Sequence, residues 1–296
     1  MEKKRFLKDK IAGNFMLALV IFAGLIIFFI IFGLFQKSRP ILSIKPLEGL
    51  LLSGDWSPLK GEFGFFPFII GTIWVTSVAL LIAAPLSVLT AIYLSEYAPA
   101  RVREWAKPFI DLLAGIPSVI FGVWGILVIV PFIKNQIGPF FGISSTGYSV
   151  LAGGTVLAIM IFPVIIHISL EVFRSVPQGI REASFVLGAT KWQTVKHAVV
   201  KKAAPGIIAA IVLGLARAFG ETMAVLMVVG NVVKIPSSLL DAAYPLPALI
   251  ANNYGEMLSI PLYDSALMFA ALILLVVVLF FNIISKIIIN RVERNM

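Results

Sequence analysis

Residues 214–231 read GLARAFGETMAVLMVVGN, and they hold the two charges best placed to do chemistry. Arg217 and Glu221 stand four apart, which on a helix puts them on one face, a turn from each other. Both lie inside an apolar run. A charge at mid-bilayer costs about 2.5–3.5 kcal/mol on insertion scales, so two persist there only if they pair or face a polar path. A guanidinium offers a planar fork of donors that fits phosphate or sulfate. A carboxylate beside it repels a bare anion but accepts a hydrogen bond from a protonated oxygen. Phosphate near neutral pH still carries such a proton and sulfate does not. The pair therefore predicts either an oxyanion path through Arg217, Glu221 and the adjoining Thr222, or a structural ion pair between helices. In the path, Glu221 discriminates between anions or keeps Arg217 from trapping them.

A second constellation is the basic stretch PQGIREASFVLGATKWQTVKHAVVKK, residues 177–202. Pro177 suits the first turn of a helix, where its missing N–H would be unpaired anyway. Glu182, Ala183, Val186 and Leu187 mix small and apolar residues at helical spacing, and Gly188 ends that helix. A further amphipathic segment starts at Thr190, with Trp192 near its beginning. Such a stretch either rests on a membrane surface or inserts into a groove of another protein. A third constellation is LLAGIPSV, residues 112–119. Gly115 and Pro117 weaken a helix and free a carbonyl. The result is an ordinary kink or a bend lining a path, with Ser118 as a donor. Asp111 is a gate or an interfacial residue. His167, near the inner end of its helix, is a packing residue, and His197 is solvated.

The elements that hold these residues are membrane helices. Of 296 residues 59% are hydrophobic and only 13% are charged; the mean hydropathy is +1.01. A soluble domain carries about 25% charged residues. Six runs reach the roughly 20 apolar residues that a bilayer core demands: Gly13–Phe35, Pro67–Tyr93, Pro108–Ile133, Tyr148–Leu170, Pro205–Val229 and Leu262–Ile289. The first is too long for a signal-peptide core and has no cleavage pattern behind it. The expected fold is therefore an all-α polytopic membrane protein with about six transmembrane helices.

The net charge of +9 follows the positive-inside bias, not a nucleic-acid surface, because the cations flank apolar runs. With both termini cytoplasmic, the inner segments hold 17 of the 24 lysines and arginines and the outer loops hold Lys37, Arg39, Lys45, Lys60, Lys134 and Lys234. The chain has no cysteine and two histidines, which excludes thiolate sites, histidine cages and cysteine nucleophiles. It therefore predicts no catalytic residue and no metal site. A membrane-embedded enzyme lacks its nucleophile, base or metal cluster. No G-x-x-x-x-G-K-[ST] phosphate loop is present. If transport here uses ATP, another subunit hydrolyses it. No internal repeat is visible, so the inverted-repeat signature of many gradient-driven carriers is unsupported.

Glu182-Ala183-Ser184 followed by Gly188 resembles the EAA loop of ATP-binding cassette (ABC) importer permeases, which docks on the ATPase subunit. Ser184 stands where alanine is usual. The later Ile-x-Leu-Pro positions read Ala198-Val199-Val200-Lys201, with a proline only at Pro205. The block Arg217-Ala218 through Gly220-Glu221-Thr222-Met223-Ala224-Val225, then Gly230-Asn231, resembles the phosphate-specific permease family, on its PstC side. Leu112–Val119 is similar to the same family. The resemblance spans roughly 68–290. It implies a type I ABC importer permease architecture and a permease subunit for phosphate that works by alternating access. It implies Glu182, Ala183 and Gly188 at the ATPase contact, and Arg217 meeting the anion. It further implies a PstA-like second permease, an ABC ATPase dimer carrying ATP and Mg, and an extracytoplasmic phosphate-binding protein. Membrane lipid surrounds the whole. Other oxyanions such as sulfate or molybdate, or a gradient-driven anion transporter, remain as alternatives. The expected layout is an N-terminal tail, first helix and outer loop over 1–66, a permease domain over 67–290 with its coupling loop at 171–204, and a cytoplasmic tail over 291–296.

Overall fold

A chain in lipid must pair each backbone N–H and C=O internally, and long apolar runs that do not close a barrel do so as helices. The computed structural model describes residues 2–256 and 260–294, and in it six helices are long and apolar enough to cross a membrane. The chain runs through α1 (Glu2–Ile44) and α2 (Leu47–Leu52), a hairpin of β1 (Trp56–Ser57) and β2 (Glu62–Phe63), then α3 (Phe66–Tyr97) and α4 (Ala100–Gly115). There follow α5 (Ser118–Phe140), α6 (Val150–Ser175), α7 (Gln178–Val186), α8 (Lys191–Gly220), α9 (Met223–Val228), α10 (Leu246–Asn253) and α11 (Tyr263–Arg294). Wide turns of π type interrupt α5 at Gly125–Ile129 and Ile133–Ile137, and α8 at Val195–Val199.

At 1.5 Å per residue the 43 residues of α1 reach about 65 Å. That is about twice a bilayer core. Among the described residues its apolar span is bare within this chain, and its far end is held. There Ser38 and Ile41 are buried, and the Ile41 N–H donates to Ser265 Oγ of α11 at 3.1 Å.

The centre of the bundle is α3 packed on α6, with α8 against both. Lipid gives apolar side chains no hydrophobic reason to associate, so close van der Waals fit and small residues hold membrane helices together. Gly153 and Gly154 of α6 face Val75 and Val78 of α3. Farther along, a Cβ on Gly206 would lie 2.5 Å from Val172, and one on Gly214 2.7 Å from Ile165. Around these contacts Ala79, Leu157, Ile161, Ile165 and Ala210 are fully buried.

The end of the bundle opposite the basic loop has its own aromatic layer. Trp56 stacks edge-on against Phe68 at 4.9 Å and Phe65 at 5.3 Å, with Phe63 and Tyr263 beside it. Segment 36–66 is thus largely packed onto α3 and α11. The second loop there, 230–261, lies across the ends of α3 and α6. Leu246 N–H donates to Thr72 Oγ1 at 2.8 Å, and Val150 N–H donates to Asp241 O at 2.9 Å. Residues 257–259 of that loop lie outside the described ones.

Two of the expected runs and the expected tail are placed differently. The third is not one helix from Pro108: α4 and α5 are separated at Ile116–Pro117, and the crossing helix begins at Ser118. The fifth starts earlier, at Lys191, and stops earlier, at Gly220, with Pro205 inside it. Of the tail expected over 291–296, the first four residues continue α11, and 295–296 lie outside the described residues. Met1 of the N-terminal tail lies outside them too.

Candidate functional site

The chain leaves the helical conformation just after Arg217. Gly220 is the last residue of α8, and Glu221 takes φ −77°, ψ 127°. Glycine is a poor helix former, and the first N–H groups of the helix beyond need acceptors. Glu221 supplies one: its Oε1 accepts the Ala224 N–H at 3.2 Å. Thr222 Oγ1 donates back to Gly220 O at 3.4 Å. The expectation that Arg217 and Glu221 share one helix face is therefore corrected. The helix ends between them and the carboxylate turns toward α9. The ion pairs among the described residues are Lys37–Asp264, His167–Asp111 and Arg181–Glu96, so Arg217 is in none of them. Its side chain is exposed on α8, along a stripe with Leu213 and Gly220.

The short helix α9 packs against the first turns of α5. The contact needs Gly122, where a Cβ would meet Met227 Sδ at 2.5 Å and the Ala224 Cα at 3.2 Å. The break at 220–222 and the residues that open α5 thus belong to two elements in contact. Gly115 is the last residue of α4, and Pro117 (φ −59°, ψ 141°) precedes Ser118 at the start of α5. A residue before proline is pushed out of the α region, and Ile116 (ψ 128°) shows that displacement. The result is a full break between two helices. His167 Nε2 lies 2.8 Å from Asp111 Oδ1, which ties α6 to α4. His167 is thus more than the packing residue that its position in the sequence suggested.

At the basic end, Pro177 opens α7 and Gly188, in the left-handed region at φ +79°, closes it. Thr190 then caps α8 with a reciprocal box: its Oγ1 accepts the Gln193 N–H and Gln193 Oε1 accepts the Thr190 N–H. Glu182 and Ala183 are exposed, and Val186 and Leu187 are each 87% exposed. These are large apolar side chains at the end of a short helix, uncovered among the described residues.

Two residues that the sequence reading passed over anchor this helix. Arg181 donates through Nη2 to Glu96 Oε1 at 2.7 Å and through Nε to Glu96 Oε2 at 3.2 Å. The same guanidinium donates to Val176 O at 2.7 Å and Phe173 O at 3.0 Å, carbonyls at the end of α6. Both side chains are nearly covered, at 14% and 9% exposure. Around them Lys191 Nζ sits 4.7 Å over the Tyr97 ring, Ser184 Oγ and Thr194 Oγ1 are 2.9 Å apart, and Arg103 Nε donates to Leu94 O at 3.0 Å. The only hints in the sequence are an arginine directly before Glu182 and a glutamate at the end of an apolar run.

The match to known proteins agrees with this geometry. Residues 83–296 match the family described as binding-protein-dependent transport system inner membrane component. A probable ABC transporter permease protein of Bacillus subtilis (strain 168), YqgH, is 40% identical over 257 residues, covering 86% of this chain and 81% of its own. The phosphate transport system permease protein PstC of Xylella fastidiosa (strain 9a5c) is 38% identical over 256 residues, covering 82% and 78%. Among solved structures, a chain of a bacterial alginate ABC transporter in complex with a pentasaccharide-bound periplasmic protein has a TM-score of 0.65 at 16% identity, covering 97% of each chain. That likeness shows the fold, the architecture of a type I importer permease. With its six spanning helices, its uncovered loop helix and these relatives, the chain belongs to the family of binding-protein-dependent ABC importer permeases, among its PstC-type members, and is a multi-pass transport subunit whose ATP is hydrolysed on a separate subunit.

Proposed function

We propose that this chain is the permease through which an ATP-driven importer moves inorganic phosphate into the cytoplasm, and that Arg217 meets the anion in transit. The observation that carries the reading is the Arg217 guanidinium, exposed and without a carboxylate partner among the described residues, on a membrane-spanning helix, one turn before a break in that helix. A charge facing lipid would cost about 2.5–3.5 kcal/mol or more. This face therefore belongs against a polar path, shared with a second, PstA-like permease. Thr222 and Ser118 contribute hydroxyls to that path, and the breaks at Gly115–Pro117 and Gly220–Thr222 let its walls bend. PstC-named relatives supply the choice of phosphate over other oxyanions.

Glu182, Ala183 and Gly188 belong to the ATPase contact. Phe185, Val186 and Leu187 are the apolar residues that enter the groove of an ABC ATPase, one copy of a dimer holding ATP and Mg. A phosphate-binding protein delivers the anion at the aromatic end of the bundle. Both termini are cytoplasmic, since lysine and arginine gather on the side of α7. The permease domain is 67–290, with 1–66 as an added arm and 291–296 as a tail.

The test is radiolabelled phosphate uptake into proteoliposomes holding this chain, its partners and the binding protein. ATP hydrolysis is followed in parallel for the parent and Arg217→Ala. ATP-dependent uptake that the variant loses while still assembling supports the reading. Uptake without ATP overturns it in favour of a gradient-driven carrier. Sulfate or molybdate uptake in place of phosphate overturns the choice of anion.

A further inference from the structure

A helix that docks on an ATPase transmits force only if it is fixed to the membrane helices behind it. In this chain α7 has weak covalent anchors. It is joined to α6 by Val176–Pro177 and to α8 by a turn containing Gly188 in the left-handed region. No α7 residue is fully buried. Ile180 packs on the cluster around Phe173 and Val199, and Ser184 meets Thr194 of α8, but the most heavily bonded polar centre that holds it is the Arg181 guanidinium.

Its four hydrogen bonds run from α7 to two other elements: to Glu96 in the last turn of α3, and to the Phe173 and Val176 carbonyls at the end of α6. The pairing with Glu96 is bidentate, the arrangement that fixes direction as well as distance. It is also largely shielded from water, so loss of one partner leaves the other charge uncompensated. Lysine cannot replace the fork, because a single ammonium cannot span a carboxylate and two carbonyls in one plane. The same turn of α3 is also held by Arg103 of α4, whose Nε donates to Leu94 O. Displacement of α7 therefore reaches α3 and α6 together. These are the helices whose mutual packing forms the centre of the bundle.

We propose that the Glu96–Arg181 pair is a positioning linkage that makes α7 move as one body with α3 and α6, so that ATP-driven displacement of α7 reaches the anion path. The proposal rests on reading α7 as the ATPase-docking helix. Neither residue touches substrate or nucleotide. Their loss loosens the connection and leaves the two ends intact.

The test compares the parent with Glu96→Gln, Glu96→Asp and Arg181→Lys in the reconstituted complex. It reads assembly, ATP hydrolysis and phosphate uptake per ATP. In Glu96→Gln the complex assembles and hydrolysis continues, while uptake per ATP falls by about tenfold, a typical size for coupling between sites. Glu96→Asp keeps the charge and recovers part of the loss, whereas Arg181→Lys recovers little. Unchanged uptake per ATP in an assembled Glu96→Gln complex overturns the linkage. If that variant does not assemble, hydrogen exchange of residues 177–190 in the full chain alone, in nanodiscs, decides. Faster exchange than in the parent supports the linkage, since exchange reports local opening, and equal exchange overturns it. Uptake without ATP by the parent would instead overturn the importer reading, and the exchange comparison would still judge the clamp.

Discussion

The Glu221 carboxylate accepts the Ala224 N–H at 3.2 Å, across the break that separates α8 from α9. This bond makes Glu221 the acceptor for the opening turn of α9. Alanine and glutamine separate this role from that of its charge. An amide oxygen still accepts the Ala224 N–H, so Glu221→Gln keeps the cap and removes only the charge. Glu221→Ala should lower stability by about 1 kcal/mol, as loss of a capping side chain does, seen as a reduced melting temperature. Glu221→Gln should melt as the parent does and show relatively more sulfate uptake in competition with phosphate. Unchanged selectivity with slower anion release would instead give Glu221 the task of keeping Arg217 from trapping the anion.

Close approach of α8 to α6 depends on Gly206, where a Cβ would meet Val172 Cγ1 at 2.5 Å. Gly206→Val should therefore destabilise the chain by about 1–3 kcal/mol, the usual cost of overpacking, with a melting point several degrees lower. Gly33→Ala provides the contrast, because nothing lies within 4 Å of a Cβ built there. It should melt no lower than the parent.

Asp241 organises the loop above α6: its Oδ2 accepts from Ser237 Oγ at 2.8 Å, Ser237 N–H at 2.9 Å and Ser238 N–H at 3.0 Å. The Ser237 hydroxyl and N–H hold its carboxyl below the ordinary value of 3.8, against a smaller upward push from burial, and Ser238 and Lys234 add to the lowering. A lowered folded value means that the carboxylate's contribution is present above the unfolded value and lost as pH falls through the folded one. Hydrogen exchange of residues 237–243 should accordingly stay slow from neutral pH to the upper end of the carboxylate range and speed up, after correction for intrinsic rates, only below about pH 4. In Asp241→Asn the loop should exchange faster already at neutral pH.

Val186 and Leu187 project from the end of α7 with 87% of their surface uncovered. A buried anchor of this kind at an interface is worth about 2 kcal/mol or more. Leu187→Asp should thus weaken association with the ATPase by about thirtyfold or more, measured by titration of the ATPase onto the purified chain in nanodiscs. The helical content of the chain should not change, because the side chain touches little of its own fold.

Much of this protein follows from local pattern. Long apolar runs have no alternative to helices in lipid, so the six spans could be located but not their ends: the fifth begins at Lys191, well before Pro205. Pro177, Gly188 and Thr190 bracket the loop helix by backbone preference alone, and the structure starts and stops it there. The breaks were half legible. Pro117 announces a weakness, but hydropathy does not distinguish a kink inside one membrane helix from two helices in contact. Gly220 gave too weak a signal against the apolar residues on either side, so Arg217 and Glu221 read as one helical pair. Only tertiary structure decides that α9 turns back to pack on α5, and that turn takes the Glu221 carboxylate away from Arg217. Likewise Glu96 and Arg181 are 85 residues apart. A single sequence shows local periodicity and backbone preference, whereas an ion pair between distant segments depends on how the helices cross. Gly153, Gly154, Gly206 and Gly214 allow that crossing, and it places the ends of α3, α6 and α7 within reach of one guanidinium.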